Sequence, residues 1–155
     1  MKITVRKAVG SDINWLLGQL RDLDKWAAYK HSFVGEREYA HRFFAEFIEK
    51  HFLLIAEGPD GRFMGGVGPL AFIAGYLHPH FFNPKLACLT EILWWVDPPY
   101  RRTRAGLLLL KEFVKYGRAH CQITSFSLQS HTLIGEDVLR REGFVLKEKS
   151  YLLEA

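Results

Sequence analysis

Apolar residues recur along the first third of the chain at spacings that predict one strand followed by two helices. Residues 2–8 alternate weakly between apolar and polar side chains and predict the strand, and Ser11 is a suitable N-cap for the first helix. A second helix is expected from about Glu36, and its periodic spacing favours the core over the wall of a substrate groove for its phenylalanines. The apolar positions of that helix are Ala40, Phe43, Phe44, Phe47 and Ile48.

The next segment predicts a β-hairpin. Phe52–Glu57 reads as a strand, and Gly58–Gly61 contains the turn sequence Pro-Asp-Gly. Arg62–Phe72 is then expected to be the antiparallel partner. Glycines and a proline inside that partner favour a bulge or bend, where a substrate or another backbone segment can come close. Residues 77–84, rich in proline, histidine and phenylalanine, are expected to form a loop.

The second half of the chain predicts alternating strands and helices. A long strand is expected over residues 86–96, and a leucine-rich helix follows it. Residues 121–128 predict another strand. Residues 133–142 predict a short helix that ends at Gly143, and residues 144–153 predict a closing strand. This order predicts an α/β or α+β sheet with helices on both faces, and it excludes a TIM barrel and a dinucleotide-binding fold with a GxGxxG turn.

Size and composition fit one globular domain over residues 1–155. The hydrophobic content of 48%, with 14% aromatic residues, argues against disorder, and no run is long and apolar enough to predict a membrane partner. No apolar signal core precedes the first charges, so a cytoplasmic location is expected. Cys88 and Cys121 have strand-like apolar neighbours and no metal-ligand spacing, which favours reduced core thiols over a disulfide or a zinc site.

The segment Glu91–Gly117 joins an apolar strand, a proline-containing turn, an arginine-rich loop and a leucine-rich helix. The start of a helix presents unpaired backbone N–H groups and a partial positive charge, which together bind phosphate oxygens. The net charge of +4 and the sequence pI of about 9.1 permit an anionic partner, and basic residues crowd into this segment. The alternative is a solvated helix face with a basic loop. The adjoining strand and turn favour a site for a phosphorylated cofactor.

These same residues carry a resemblance to a known family. The sequence YRRTRAG at Tyr100–Gly106 resembles the (Q/R)xxGx(G/A) signature of the GNAT superfamily of N-acetyltransferases, with Arg101 at its first position and Gly106 at its last. Arg104 stands where the family usually has its first glycine. Upstream, EILWWVDPPYR is similar to the family's fourth strand and bulged turn, and GEDVLRREGF resembles the motif around its last helix. The resemblance implies a mixed, mostly antiparallel sheet that splays after the fourth strand and accepts acetyl-CoA in the opening.

The resemblance also implies which residues hold the cofactor. Backbone groups of Trp95 and Val96 would pair with the pantetheine amides, although the same residues also read as an ordinary buried strand. The pyrophosphate would be surrounded by Arg101, Arg102, Thr103, Arg104, Ala105 and Gly106.

Glu91 is the candidate general base. It interrupts an apolar strand, where desolvation would raise its pKa, and the resemblance aligns it with a glutamate that deprotonates the acceptor amine. A two-residue period places Glu91 on one face with Leu93 and Trp95, toward the cofactor arm. The alternative is a carboxylate that pairs with an arginine or lies at an exposed strand end.

The general acid is less clearly marked. The family commonly has a tyrosine in its last helix, four residues before the glycine of the Gly-Phe pair, and that position is Leu139 here. Thiolate departure is then unassisted, or it is assisted by Tyr151, Tyr76 or His131, or the protein binds the cofactor without turnover. Tyr151 is taken as the candidate. His78 and His80 flank a proline but lack further ligands, so no metal site is expected.

The sequence therefore predicts an acetyl-CoA-dependent N-acetyltransferase that acetylates a primary amine of a small molecule or peptide. The alternative is a GNAT-like acyl-CoA-binding or regulatory module with weak catalysis. A nucleic-acid partner is not expected, because no helix-turn-helix, RNA-binding sheet motif or zinc finger is recognisable. A homodimer is compatible with the sequence.

Overall fold

A computed structural model of the chain describes residues 1–26, 35–128, 135–151, 153 and 154. Its sheet has the strand order β1-β2-β3-β4-β5, antiparallel except for the parallel pair β4–β5. The strands are β1 (Thr4–Lys7), β2 (Phe52–Pro59), β3 (Val67–Pro79), β4 (Ala87–Val96) and β5 (Ile123–Ser125). The helices are α1 (Ile13–Trp26), α2 (Arg37–Lys50), α3 (Ala105–His120) and α4 (Glu136–Arg141), with 3-10 turns at Gly10–Asp12 and Pro98–Tyr100.

Helices cover both faces of the sheet, as the sequence predicts. Helices α1 and α2 pack on one face, where Phe44 is fully buried and meets Phe72 of β3 edge-on at a ring-centroid distance of 6.2 Å. Helix α3 packs on the other face, where Phe113 meets Phe52 of β2 at 5.4 Å. Phe47 is also buried, so the core assignment of the α2 phenylalanines is confirmed for Phe44 and Phe47.

The β2–β3 hairpin has a longer turn than the sequence predicts. Strand β2 continues to Pro59 and β3 begins only at Val67, not at residue 62. Gly65 and Gly66 have φ angles of 87° and 67° and form the turn. The expected bulge lies beside Pro69, because Ala56 pairs with Ala71 and Glu57 with Pro69, which leaves Leu70 as an extra residue. At its other end β3 extends to Pro79 through residues expected in a loop, because Leu77 finds a cross-strand partner on β4.

The C-terminal part departs further from the expectation. Strand β5 spans three residues, not the eight of residues 121–128, and the closing strand predicted at residues 144–153 is absent from the described residues of that range. Gly143 ends α4 with a φ of 91°, and Phe144 then packs against Phe126 at 5.9 Å. The charged run that follows has no cross-strand partner in the described chain, so its local alternation forms no ladder.

Three further features bear on the sequence expectations. Cys88 is buried and Cys121 half-buried, and neither forms a disulfide. Among the described residues, no helix combines the length and apolar character that crossing a bilayer requires. Within that same part of the chain, no group of three or more His, Cys, Asp and Glu side chains is arranged to hold a metal ion.

Candidate active site

A cleft opens where β4 and β5 part. The two strands pair only from Cys88 with Ile123 to Thr90 with Ser125, whereas β4 continues to Val96. Beyond that point, the contacts between the two segments include a hydrogen bond from the Ser127 backbone N–H to a Glu91 carboxylate oxygen, with an N–O distance of 3.3 Å. The split after the fourth strand, which the resemblance implies, is therefore present. It leaves the Glu91–Val96 edge of β4 without a neighbouring strand in the described chain.

The backbone groups on that edge follow from the strand's alternation. The Asp97 N–H donates to the Leu70 carbonyl of β3 at 2.9 Å, so the N–H and C=O groups of Val96 point the opposite way, toward the cleft. Consistently, Arg101 Nε donates to the Val96 carbonyl at 3.3 Å. The same alternation turns the backbone groups of Trp95 toward β3. Of the two residues expected to pair with a pantetheine arm, only Val96 presents backbone groups to the cleft.

The open edge leads directly to the N-terminus of α3. Arg104 is the N-cap residue, and the first intrahelical bond joins Leu108 N–H to its carbonyl at 2.9 Å. Thr103 Oγ1 accepts from the Ala105 N–H at 3.3 Å. The N–H groups of Gly106 and Leu107 precede the first intrahelical bond, as at any helix start. The helix therefore presents backbone donors beside the end of β4.

The two exposed arginines of this loop carry its free positive charge. The side chains of Arg102 and Arg104 make no hydrogen bond or ion pair within the described chain. The Thr103 hydroxyl is occupied, because it donates to the Tyr100 carbonyl at 2.7 Å. Arg102 and Arg104 can thus bind an anion at the start of α3 without breaking an existing contact.

Gly106 allows α3 to approach β4 closely. A Cβ atom at this position would lie 2.9 Å from Val96 Cγ2 and 3.5 Å from Trp94 Cζ2. Its Cα–H therefore occupies space that no other residue could fill without moving the helix. The glycine that the resemblance assigns to a pyrophosphate loop here also serves the packing of helix on strand.

Trp94 supplies an unsatisfied donor in the same place. Its Nε1 is buried without a hydrogen-bond partner in the described residues, and it lies 3.7 Å from where a Gly106 Cβ would be. The ring meets Phe126, on the other side of the cleft, edge-on at 5.1 Å. An unpaired buried N–H costs about 1–3 kcal/mol, so a ligand acceptor here would relieve the penalty. An acyl-CoA, with its two amides and its phosphates, fits this arrangement of donors.

Arg101 has a different position from the one expected. Its guanidinium lies between two indole rings, 4.2 Å from the Trp26 centroid and 4.6 Å from that of Trp95. Desolvation there lowers its pKa. Since Trp95 belongs to the α1–α2 face, the Arg101 side chain is turned away from the start of α3, where Arg102 and Arg104 lie.

Glu91 lies on the face of the sheet opposite to the one expected. Ala74 pairs with Leu93 and Gly75 pairs with Glu91, which leaves Ile92 as the extra residue of a β-bulge. Ala74 and Gly75 are consecutive and point to opposite faces, so Glu91 does not share a face with Leu93 and Trp95. The two-residue period predicted otherwise because it assumes an unbroken strand.

The surroundings of Glu91 make it a weak acid. Its side chain lies on the α3 face, and the residue is only 9% exposed. Burial raises its pKa to about 8, and the hydrogen bond from Ser127 offsets only part of that shift. No arginine pairs with Glu91 in the described chain, contrary to the alternative interpretation. Glu91 is thus a buried carboxyl at the closed end of the cleft.

The candidate acids are scattered. Tyr151 is 92% exposed on the segment after α4. Tyr76 lies on the α2 side, with its ring 4.7 Å from His51 and 5.1 Å from His78. His131 lies outside the described residues.

Leu139, at the family's usual tyrosine position, is buried against α3 in a small apolar cluster with Leu110 and Val114. It has no polar atom to offer to the cleft.

One supporting network was not expected from the sequence. Arg62, in the β2–β3 turn, contacts Asp60 Oδ2 at 2.7 Å and Asp97 Oδ2 at 2.5 Å, and both carboxylates are buried. Its guanidinium also lies 5.5 Å from the centre of the Tyr100 ring. The hairpin turn therefore holds the loop that leads into α3. An aspartate directly after an apolar strand was the signal in the sequence, but its partner is 35 residues away.

Comparisons with known proteins bear on the fold. No protein-family model and no curated protein sequence matches the chain. The structure of a ribosomal-protein-alanine N-acetyltransferase from Brucella melitensis biovar Abortus 2308 is similar, with 11% identity, a TM-score of 0.74, and coverage of 100% of this chain and 99% of that one. A transcriptional regulator from Bacillus halodurans C-125 has 14% identity and a TM-score of 0.73, over 99% of this chain and 100% of its own.

A predicted acetyltransferase from Clostridium acetobutylicum, whose structure includes acetyl-CoA, is also similar. It has 17% identity and a TM-score of 0.67, over 99% of this chain and 96% of its own. Each of these likenesses extends over at least 96% of both chains. The chain therefore has the fold of the GNAT superfamily of acetyltransferases.

Proposed function

We propose that the protein is an acetyl-CoA-dependent N-acetyltransferase that acts on a primary amine of a small molecule or peptide. The observation that carries the proposal is the continuous path from the parting of β4 and β5, along the open edge of β4, to the free N–H groups at the start of α3. An extended arm ending in phosphates matches such a path, because the edge offers backbone hydrogen bonds and the helix start favours anions.

Residues at the open end of this path would bind the cofactor. The helix start, together with Arg102 and Arg104, would hold the phosphates, and the Val96 backbone would hold an amide of the arm. The orphaned Trp94 Nε1–H would donate to a second acceptor of the cofactor. Acetyl-CoA supplies the thioester whose acyl group is transferred. In this arrangement the reacting end of the arm lies toward Glu91, about 17 Å of strand away from Val96.

Glu91 would take the proton of the acceptor amine, directly or through one water. The carboxylate form is the active one, and its share increases as the pH approaches the raised pKa of about 8. A base with a pKa near the working pH combines a usable ionised fraction with sufficient basicity. Glu91 lies beside the point where the strands part, and this supports a role next to the end of a cofactor arm that would lie along β4.

Titration calorimetry with acetyl-CoA tests the cofactor site, with CoA and ATP as comparison ligands. The double variant Arg102→Glu/Arg104→Glu reverses two exposed charges that hold no fold contact, so it should weaken acetyl-CoA binding by about 100-fold or more. Lys111→Glu is the matched control, since Lys111 is exposed farther along the same helix and should leave affinity within about threefold. Equal affinity in the wild type and the double variant would refute the phosphate site.

A catalytically weak acyl-CoA-binding module is the second candidate. The burial of Leu139 in an apolar cluster favours it, because the usual tyrosine acid is lacking. The two functions differ in turnover: an enzyme releases CoA thiol from acetyl-CoA when offered a panel of amines at pH 8, whereas a binding module retains micromolar affinity and releases none.

A further inference from the structure

A chain of three polar side chains runs across the sheet from the half-buried His78 of β3 to the closed end of the cleft. His78 Nε2 lies 2.9 Å from Thr90 Oγ1, and Thr90 Oγ1 lies 3.1 Å from Ser125 Oγ. On its other side, His78 Nδ1 lies 2.9 Å from the Pro79 carbonyl oxygen. The three residues come from β3, β4 and β5, so the arrangement exists only in the assembled sheet.

The partners determine which way the hydrogen bonds run. A carbonyl oxygen only accepts, so His78 Nδ1 carries a proton and donates to Pro79. Nε2 then accepts from Thr90 when the ring is neutral, and it donates to Thr90 when the ring is protonated. In the second state Thr90 donates to Ser125, whose own hydroxyl proton becomes free to face the cleft. Protonating the imidazole therefore turns Ser125 into a donor at the far end of the chain.

Ser125 lies where such a donor could be used. It is the last residue of β5, it pairs with Thr90, and it is exposed. The cleft is closed at this pair and open at Val96. Thr90 and Glu91 are consecutive on a strand, so the hydroxyl chain and the Glu91 carboxyl approach the closed end from opposite faces of the sheet.

We propose that His78, Thr90 and Ser125 form a proton relay that protonates the departing thiolate of acyl-CoA. This inference rests on the proposed function. As the amine nitrogen bonds to the acyl carbon, the C–S bond breaks and sulfur takes its electron pair. Sulfur receives the Ser125 hydroxyl proton, Ser125 receives that of Thr90, and Thr90 receives the Nε2 proton of the imidazolium. Glu91 holds the amine proton. Glu91 then releases this proton to solvent, and His78 takes up one proton from solvent.

The relay would supply the acid that the last helix lacks. Leu139 is apolar and packed against α3, and Tyr151 is almost fully exposed. Ser125 would be the only member of the relay to touch the substrate, with Thr90 and His78 acting through it. The His78 ring is held by stacking on Tyr76 at 5.1 Å and by Phe81 at 5.9 Å, which keeps Nε2 directed at Thr90.

Two substitutions at Thr90 distinguish the contribution of its hydroxyl to the relay from the contribution of its shape to packing. Thr90→Val keeps the shape and removes the hydroxyl, whereas Thr90→Ser keeps the hydroxyl and removes a methyl group. With acetyl-CoA saturating, Thr90→Val should lower the rate of thiol release by about 100-fold, and Thr90→Ser should stay near wild type. Both should bind acetyl-CoA with wild-type affinity in the calorimeter, since neither change touches the start of α3.

A second readout works without an acceptor amine. The apparent pKa of the thiol in the CoA complex, followed by thiolate absorbance in the ultraviolet, should rise by about one unit in Ser125→Ala, because a donor to the thiolate is lost. An unchanged thiol titration in Ser125→Ala would overturn the contact between Ser125 and the sulfur. Identical rates of thiol release in Thr90→Val and Thr90→Ser would overturn the relay while leaving cofactor binding intact. Failure of the folded wild type to bind CoA would overturn the proposed function, and the relay with it.

Discussion

Replacing Glu91 with glutamine should change the pH dependence of stability in a defined direction. In the folded protein burial raises the Glu91 pKa to about 8, against a usual value of 4.5. Between these pH values the folded state holds a proton that the unfolded state releases, so the free energy of unfolding of the wild type falls as pH rises. Glutamine cannot ionise, so the free energy of unfolding of the variant does not fall for this reason.

The expected size follows from the shift. For each pH unit between 4.5 and 8, the free energy of unfolding of the wild type falls by about 1.4 kcal/mol. The total decrease is about 3 kcal/mol at pH 7 and about 5 kcal/mol above pH 8. The glutamine buries an uncharged amide, and the free-energy cost of burying that amide does not depend on pH. The slope, rather than the absolute stability, is therefore the quantity to compare.

Urea denaturation at half-unit steps from pH 5 to pH 9 measures this slope. The stability of Glu91→Gln relative to wild type should increase up to about pH 8 and then level off. Glu49→Gln makes the same chemical change on an exposed position of α2 and serves as the control. A difference between Glu91→Gln and wild type that stays constant from pH 5 to pH 9 would refute the conclusion that Glu91 is a buried, protonated carboxyl.

Two further substitutions test the supports of the site. Gly106→Ala should lower the free energy of unfolding by about 1–3 kcal/mol, because its Cβ would lie 2.9 Å from Val96. Gly18→Ala, in open space on α1, should raise the free energy of unfolding by about 0.5–1 kcal/mol. Urea titration measures both changes, and two changes of the same sign would contradict the packing argument. Arg62→Met should lower the free energy of unfolding by about 1–3 kcal/mol and weaken acetyl-CoA binding, because two buried aspartates lose their shared cation. Arg37→Met removes one exposed hydrogen bond and should change neither quantity.

Periodicity predicted the helices well because their pattern is local. Helix α2 begins one residue after Glu36, as expected, and its phenylalanines follow the 3.6-residue period into the core. Strand β4 begins one residue later than expected and ends as expected at Val96. The resemblance, carried by residues 91–117 and the last helix, correctly implied the fold and the parting of the sheet. These properties depend on side chains that are near one another along the chain.

The tertiary structure decided what depends on distant partners. The bulge at Ile92 exists because Gly75 of β3 pairs with Glu91, and it moved Glu91 to the α3 face. The closing strand predicted from alternation after Gly143 has no neighbour to pair with in the described chain, since a strand needs a ladder and not only a pattern.

The hydroxyl–imidazole chain shows the same limit of sequence reasoning. His78, Thr90 and Ser125 are separated by 12 and 35 residues, and no spacing marks them as a group. By itself the sequence located the helices and, to within a few residues, strands β1, β2 and β4, and it pointed to the start of α3 as an anion site. Which polar groups meet at the closed end of the cleft was decided by strand order and register, because hydrogen bonds require atoms within about 3 Å, a condition that only the assembled sheet meets.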